Sequence, residues 1–286
     1  MRHMQSVPWQ LKIAAKIFLA RLPLPYHWWA KIGLFKQGGM DRPDYALRIF
    51  RQHFDRACFA RKTDNFVALE FGPGDSLCSA LIARTFGASR TFLVDIEACA
   101  STNLAVYRRM ESQLRQLGLY PPNLDHCRSL HDVAEACSAE YLTDGLTSLR
   151  NIPSASVDFV WSHAVLPYVR RNEFLPLLQE LRRIQRPDGV GSHCIPIKDI
   201  IGGKLNDLRF SQRIWESSFM ANSRFYTNRL RFLELLRLFR QAGFEPEVVR
   251  EIRWKSLPTP RRKMANQFAL LSDEDLQVSA FDVLLH

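Results

Sequence analysis

At 286 residues with 47% apolar content, the chain can bury one large core and a small appendage. Its six cysteines form no C-x-x-C pair or metal-type spacing, which argues against a disulfide scaffold or a cysteine zinc site and for reduced thiols in a cytoplasmic protein. The net charge of +10 is uneven: residues 1–62 hold 12 Lys/Arg against three Asp/Glu, whereas residues 63–286 hold 27 against 26.

In chain order, that basic front end comes first. Trp9, Ile13, Ile17 and Ala20 recur near helical spacing with lysines between them, and Pro23 and Pro25 end the run. Lys12, Lys16 and Arg21 interrupt it too early for a signal peptide or a membrane span. An aromatic stretch from Tyr26 to Phe35 follows, closed by Gly38 and Gly39. A third helical run, Asp44 to Phe59, carries Ala46, Leu47, Phe50, Phe54 and Ala57 on one face and Arg48, Arg51 and Arg56 elsewhere. Three readings stay open for this extension: packing over the following domain, contact with an anionic membrane surface, or contact with an anionic substrate or carrier. Nucleic acid ranks below these, because no Lys/Arg block or RNA module accompanies the charge.

The run Val67-Ala-Leu-Glu-Phe-Gly-Pro-Gly-Asp75 comes next, and Phe92-Leu-Val-Asp95 after it. A buried strand passes through two glycines into a helix (Ser76 to Phe86, stopped by Gly87), and a second strand, Arg90 to Asp95, ends on an acid. Such strand ends build nucleotide pockets: bare glycine backbone and a helix N-terminus admit a ligand closely, and the second acid takes ribose hydroxyls. The dinucleotide fingerprint wants a third glycine where Leu77 stands. Glu70 would repel a pyrophosphate but welcome an ammonium group, which favours an adenosine joined to a cationic amino acid.

Leu69-Glu-Phe-Gly-Pro-Gly74 resembles motif I of the class I S-adenosylmethionine (SAM)-dependent methyltransferases. The resemblance implies SAM as cofactor and S-adenosylhomocysteine as product. It places Glu70 at the ammonium group, with Phe71, Gly72, Pro73 and Gly74 as close-approaching backbone. Asp95 with Ile96 would hold the ribose, Asp144 with Gly145 the adenine, and Ser162 would line the cofactor from the fourth strand.

Later segments fit the same alternation. Tyr141 to Gly145 resembles the third strand and its loop, and Val157 to His163 the fourth. Glu173 to Ile184 is a helix, Arg186-Pro-Asp-Gly189 a turn, Val190 to Ile197 the fifth strand, and Asn228 to Ala242 a long helix. Glu245 to Ile252 and Val278 to Leu285 supply a terminal antiparallel hairpin. The expected fold class is α/β: a Rossmann-like, doubly wound, seven-stranded, mostly parallel sheet over residues 63–286, preceded by the helical extension 1–62.

A methyl acceptor with an oxygen or nitrogen nucleophile needs alignment and a base for its proton. His163 and His193, in two Ser-His pairs at the ends of the fourth and fifth strands, are the candidates; each is also readable as a packed histidine. Many family members carry an acid and a histidine after the fourth strand, where this chain has Pro167 and Tyr168. That departure keeps open a SAM-dependent reaction other than methylation, or a scaffold subunit. Residues 198–226 exceed an ordinary strand-to-helix connection and read as a substrate lid. Asp199, Arg209, Trp215 and Tyr226, together with Tyr168, are its candidate acceptor contacts. The expected substrate is a small-molecule or carrier-attached metabolite of a biosynthetic pathway.

Overall fold

The computed structural model describes residues 39–57, 64–200, 202–223 and 226–286. The amphipathic run Trp9 to Leu22, the aromatic stretch Tyr26 to Phe35, and Cys58 and Phe59 lie outside them. What is described of the extension is helix α1 (Pro43–Arg56). Then come β1 (Phe66–Phe71), α2 (Cys78–Thr85), β2 (Ala88–Val94), α3 (Leu104–Gln116), α4 (Leu130–Ala136), β3 (Ala139–Leu142) and α5 (Leu146–Arg150). The second half has β4 (Val157–His163), α6 (Arg171–Ile184), β5 (Gln185–Pro196), α7 (Phe232–Gln241), β6 (Pro246–Arg253) and β7 (Val278–Leu285), with short helices in the connections.

The strands form one sheet in the order β3-β2-β1-β4-β5-β7-β6. Strands β1 to β5 pair in parallel, while β7 runs antiparallel between β5 and β6. This is the seven-stranded α/β sheet that the alternation predicts. Chain order reverses between β1 and β4, and in open α/β sheets such a switch point opens a crevice beyond the carboxyl ends of the strands.

Alternation along each strand sorts side chains to two cores. Phe66, Ala68, Phe159 and Trp161 face α1, α2 and α3. Leu69, Phe71, Val160 and Ile195 face α6 and α7. Helix α1 is integral to the first core rather than appended to it. Its Phe50 is fully buried and meets Phe159 and Trp161 edge-on at centroid distances of 6.3 and 5.9 Å.

Two segments differ from expectation. The predicted turn at Arg186 to Gly189 is a four-residue bulge inside β5: Gln185 pairs with Val157, and pairing resumes at Val190 with Phe159. The Gln185 side chain holds the bulge by donating to the carbonyls of Gly189 and Leu285, both at 3.0 Å. The helix expected from Asn228 starts four residues later, at Phe232. Asn228 spends its amide on the carbonyls of Leu166 and Val169, and the enclosed Arg231 donates to those of Ile197, Asp275, Leu276 and Val278. These long-range bonds favour an extended backbone over a helical turn, and Arg229 even adopts a positive φ of 55°.

Candidate active site

The crevice begins where β1 runs out. Gly72 continues the ladder by donating to the carbonyl of Val94 at 2.8 Å, then turns with φ +80°, and Gly74 follows with φ +65°. L side chains pay for that conformation. At Gly72 a Cβ would also collide with the methyls of Val165, which descends onto the turn from the end of β4. The glycine therefore lets two strand ends converge, with Val165 packed on the backbone of the turn.

Asp95, just past β2, ties that turn to its neighbour. One carboxylate oxygen accepts from Gly74 N–H at 3.2 Å and the other from Ile96 N–H at 2.8 Å. Burial raises its pKa, while those N–H groups pull it back down. The Asp95 carbonyl accepts from Gly145 N–H at 2.9 Å, so the β3 loop is hung from the same residue. Gly145 has φ +51°, and a side chain there would press on Ile96. Ile96 itself is 73% exposed, an apolar surface standing beside the loop of the exposed Asp144. Asp144 N–H donates to Ser148 Oγ, which fixes the loop.

Glu70 lies beneath the glycine turn, 2% exposed, on the α2 side of the sheet. Ser79 in the first turn of α2 donates to its carboxylate. Burial pushes Glu70 to about 8, against the Ser79 hydrogen bond and with help from the charge of Asp95. A carboxyl held that far up answers strongly to any cation placed beside it. Phe71 and Pro73 are buried, with the Phe71 side chain in the α6–α7 core, so both reach the crevice through backbone.

The two candidate bases separate. His163, half-buried, closes β4 on the α1 face; Ala164 after it takes φ +61°, and Val165 then covers Gly72. His163 thus lies two residues before the side chain that covers the glycine turn, whereas His193 lies in the core. In the β4–β5 register it lies beside Ser162, on the opposite face of the sheet from His163, 1% exposed. Its Nδ1 is 2.8 Å from Ser162 Oγ, and burial lowers it to about 3. His193 and the Ser162 hydroxyl satisfy each other inside the core, so neither side chain meets a ligand. The two Ser-His pairs look equivalent in sequence, but one-residue offsets on neighbouring strands send their imidazoles to opposite faces.

Most expected acceptor contacts in 198–226 are structural. The Asp199 carboxylate accepts from the N–H groups of Gly202, Lys204 and Asn206 at 2.6, 3.1 and 2.7 Å, closing a tight loop. Trp215 is wholly buried and donates from Nε1 to the Thr227 carbonyl at 2.7 Å. The Tyr226 hydroxyl donates to Glu216 and accepts from Arg171 N–H. Arg209 binds Asn206. The segment buries its own small core, whereas Tyr168 stays 48% exposed after β4.

A histidine that the motifs do not single out belongs to this region. His53 of α1 is fully buried, its Nε2 3.2 Å from His163 Nδ1 and its Nδ1 2.9 Å from Ser192 Oγ. The signal is present in the chain: His53 continues the apolar stripe Ala46, Phe50, Ala57 at helical spacing, a place where an imidazole must find partners.

Residues 94–192, about a third of the chain, match the family model described as a methyltransferase domain. No curated protein matches the chain. Similar solved structures include an arsenic(III) S-adenosylmethionine methyltransferase from Chlamydomonas reinhardtii, at 14% identity and a TM-score of 0.43, covering 78% of this chain and 63% of that one. A phosphoethanolamine N-methyltransferase from Haemonchus contortus has 13% identity and a TM-score of 0.46, covering 83% and 52%. A geranyl diphosphate C-methyltransferase from Streptomyces coelicolor has 13% identity and a TM-score of 0.46, covering 85% and 79%. The chain thus spans less than two thirds of the length of the first two.

Proposed function

We propose that this chain, which carries a methyltransferase domain of the class I SAM-dependent type, transfers a methyl group to an oxygen or nitrogen of a small-molecule or carrier-attached metabolite, with His163 as the base. SAM, when bound, supplies a methyl group on a sulfonium, and its transfer leaves S-adenosylhomocysteine. The residues fit such a ligand: a positive-φ glycine turn at the end of the first strand, an acid on the neighbouring strand bonded to that turn, an exposed apolar Ile96 beside the third-strand loop, and a buried Glu70 that a cation would ionise. The observation that carries the reading is the junction of Gly72, Gly74, Asp95 and Val165 at the switch point.

In this reading Asp95 offers its carboxylate to the ribose, Ile96 and the Asp144–Gly145 loop flank the adenine, and Glu70 faces the ammonium group. His163 takes the acceptor's proton at Nε2 as the new bond to carbon forms. Burial and the nearby Arg48 and Arg56 lower its pKa, against the carboxylate of Asp282, so it is neutral and receptive at pH 7. Positioning residues of this kind supply on the order of 7–11 kcal/mol at best, and a general base a further 10²–10⁴-fold in rate. We assign acceptor choice to Tyr168 and the segment 198–226, whose Ile214 and Phe219 are about half exposed.

Titration calorimetry of the full chain with S-adenosylhomocysteine is the first test, followed by incubation with SAM and metabolite extracts and mass analysis. A product heavier by CH₂, formed by wild type and at least tenfold less by His163→Gln, supports the assignment. Binding without any methylated product would favour a different use of the pocket; no binding would end the cofactor reading.

A further inference from the structure

On the face of β4 and β5 covered by α1, three polar side chains from three elements join in a line. His163 Nδ1 lies 3.2 Å from His53 Nε2, and His53 Nδ1 lies 2.9 Å from Ser192 Oγ. The two imidazoles stand nearly perpendicular, with centroids 5.4 Å apart. Trp161 covers one side of the His53 ring at 5.2 Å, and Ser192 is held opposite Trp161 by the strand register. Buried polar groups are ordinarily hydrogen-bonded, so a row of three costs stability unless each bond is made. We propose that His53 is a positioning residue, which holds His163 in the tautomer with Nδ1–H donating to His53 and Nε2 unprotonated.

Two directions of hydrogen bonding satisfy the row. In one, His163 Nδ1–H donates to His53 Nε2, and His53 Nδ1–H donates to Ser192 Oγ. In the other every bond is reversed. They differ once His163 gains a proton, because an imidazolium carries hydrogen on both nitrogens. In the reversed direction His53 Nε2–H would then confront His163 Nδ1–H across 3.2 Å. In the first, the bond to His53 is kept and becomes charge-assisted. Only the first lets His163 accept a proton without rearrangement. The inference therefore rests on His163 being the base, as proposed above.

The surroundings decide which imidazole takes the proton. Burial is the main cause holding His53 well below 6.5, reinforced by His163 of β4, His193 of β5 and Arg56 of its own helix. His163, less deeply buried, faces Arg48 and Arg56 of α1, which disfavour its cation, and Asp282 of β7, which favours it. Arg56 and Arg250 of β6 both reach the Asp282 carboxylate, at 2.6 and 3.7 Å, and Cys194 of β5 pairs with Asp282 in register. His53 thus stays neutral, as an acceptor must, while His163 titrates. The arrangement resembles a histidine oriented by a carboxylate, with a neutral imidazole in the carboxylate's place.

Long-range ¹H–¹⁵N spectra of ¹⁵N-histidine-labelled full chain read tautomers directly. The wild type should show His163 predominantly Nδ1–H at pH 7.5, and on acidification His163 should titrate before His53. In His53→Phe the Nδ1–H share of His163 should fall at least fivefold, and its pKa should drop with the lost acceptor. His53→Gln, whose amide oxygen accepts the same N–H, should restore both. A wild-type His163 in the ordinary Nε2–H form, or His53 charging first, overturns the proposal even if His53→Phe fails to fold. S-adenosylhomocysteine calorimetry on the same wild-type sample separates this from the cofactor reading: no binding refutes the cofactor while the tautomer result stands alone.

Discussion

Glu70 sets the sharpest expectation at the scale of single residues. Its folded pKa of about 8 exceeds its ordinary 4.5, so between those values the free protein holds a proton there that the unfolded chain has released. A cationic amino-acid ligand would ionise Glu70 and expel that proton. Affinity for S-adenosylhomocysteine should then rise with pH, by up to tenfold per unit between 6 and 8, and level off above. Glu70→Gln should bind more weakly at pH 8 and lose the slope. Calorimetry across pH, in buffers of different ionisation enthalpy, measures both; a flat wild-type profile would sink the assignment. Glu70 and Asp95 are legible in the sequence because each stands at a fixed offset from a strand end or a glycine. His53 is not, since a histidine on an apolar stripe declares only that it is buried, and its partners lie 110 and 139 residues away.

At the scale of elements, the turn after β1 and the end of β4 act as one unit, because Val165 occupies the space a Gly72 side chain would need. Gly72→Ala should destabilise the fold by about 1–3 kcal/mol through overpacking, with a further cost from φ +80°. Removing the Val165 methyls in Gly72→Ala/Val165→Ala should return the steric part and leave the backbone part. Urea denaturation of the two single variants and the double closes that cycle, and strict additivity would show that the contact does not matter. Period-2 alternation and glycine punctuation are enough to mark β1, β2, β4 and the terminal hairpin in the amino-acid order. The same patterns misread Asn228 to Arg231 as helix, because Leu230 and its neighbours have helical spacing while Asn228 and Arg231 bind carbonyls on other elements. Periodicity reports which side chains share a face; it is blind to a buried guanidinium that organises four carbonyls.

Across the whole molecule, buried ionisable groups of opposite kinds should bracket its stability in pH. Glu70, raised to about 8, and Asp207, raised to about 6, both mainly by burial, keep protons that the unfolded chain loses. Their contribution is present at low pH and is lost as pH rises through the folded values. His53, His163 and His193 are lowered by burial, so the unfolded chain binds protons near 6.5 that the folded one refuses. Their contribution is present above 6.5 and is lost as pH falls. From pH 8 down to about 7 Glu70 dominates, and stability should rise by up to roughly 1 kcal/mol before the histidines begin to offset it. Below 6.5 three histidines oppose two carboxyls, and the curve should turn over. His193 alone, with a folded value of about 3, would cost about 2 kcal/mol by pH 5. The maximum should therefore sit near pH 6.5, well below the sequence pI of 9.6. Urea midpoints between pH 5 and 8.5 locate it. His193→Gln, compared with its own value at pH 7.5, should flatten the acid limb and leave the alkaline limb in place. A wild type more stable at pH 8.5 than at 6.5 would mean that Glu70 is already paired with a cation in the free protein, and the affinity slope argued for it would vanish in the same experiment.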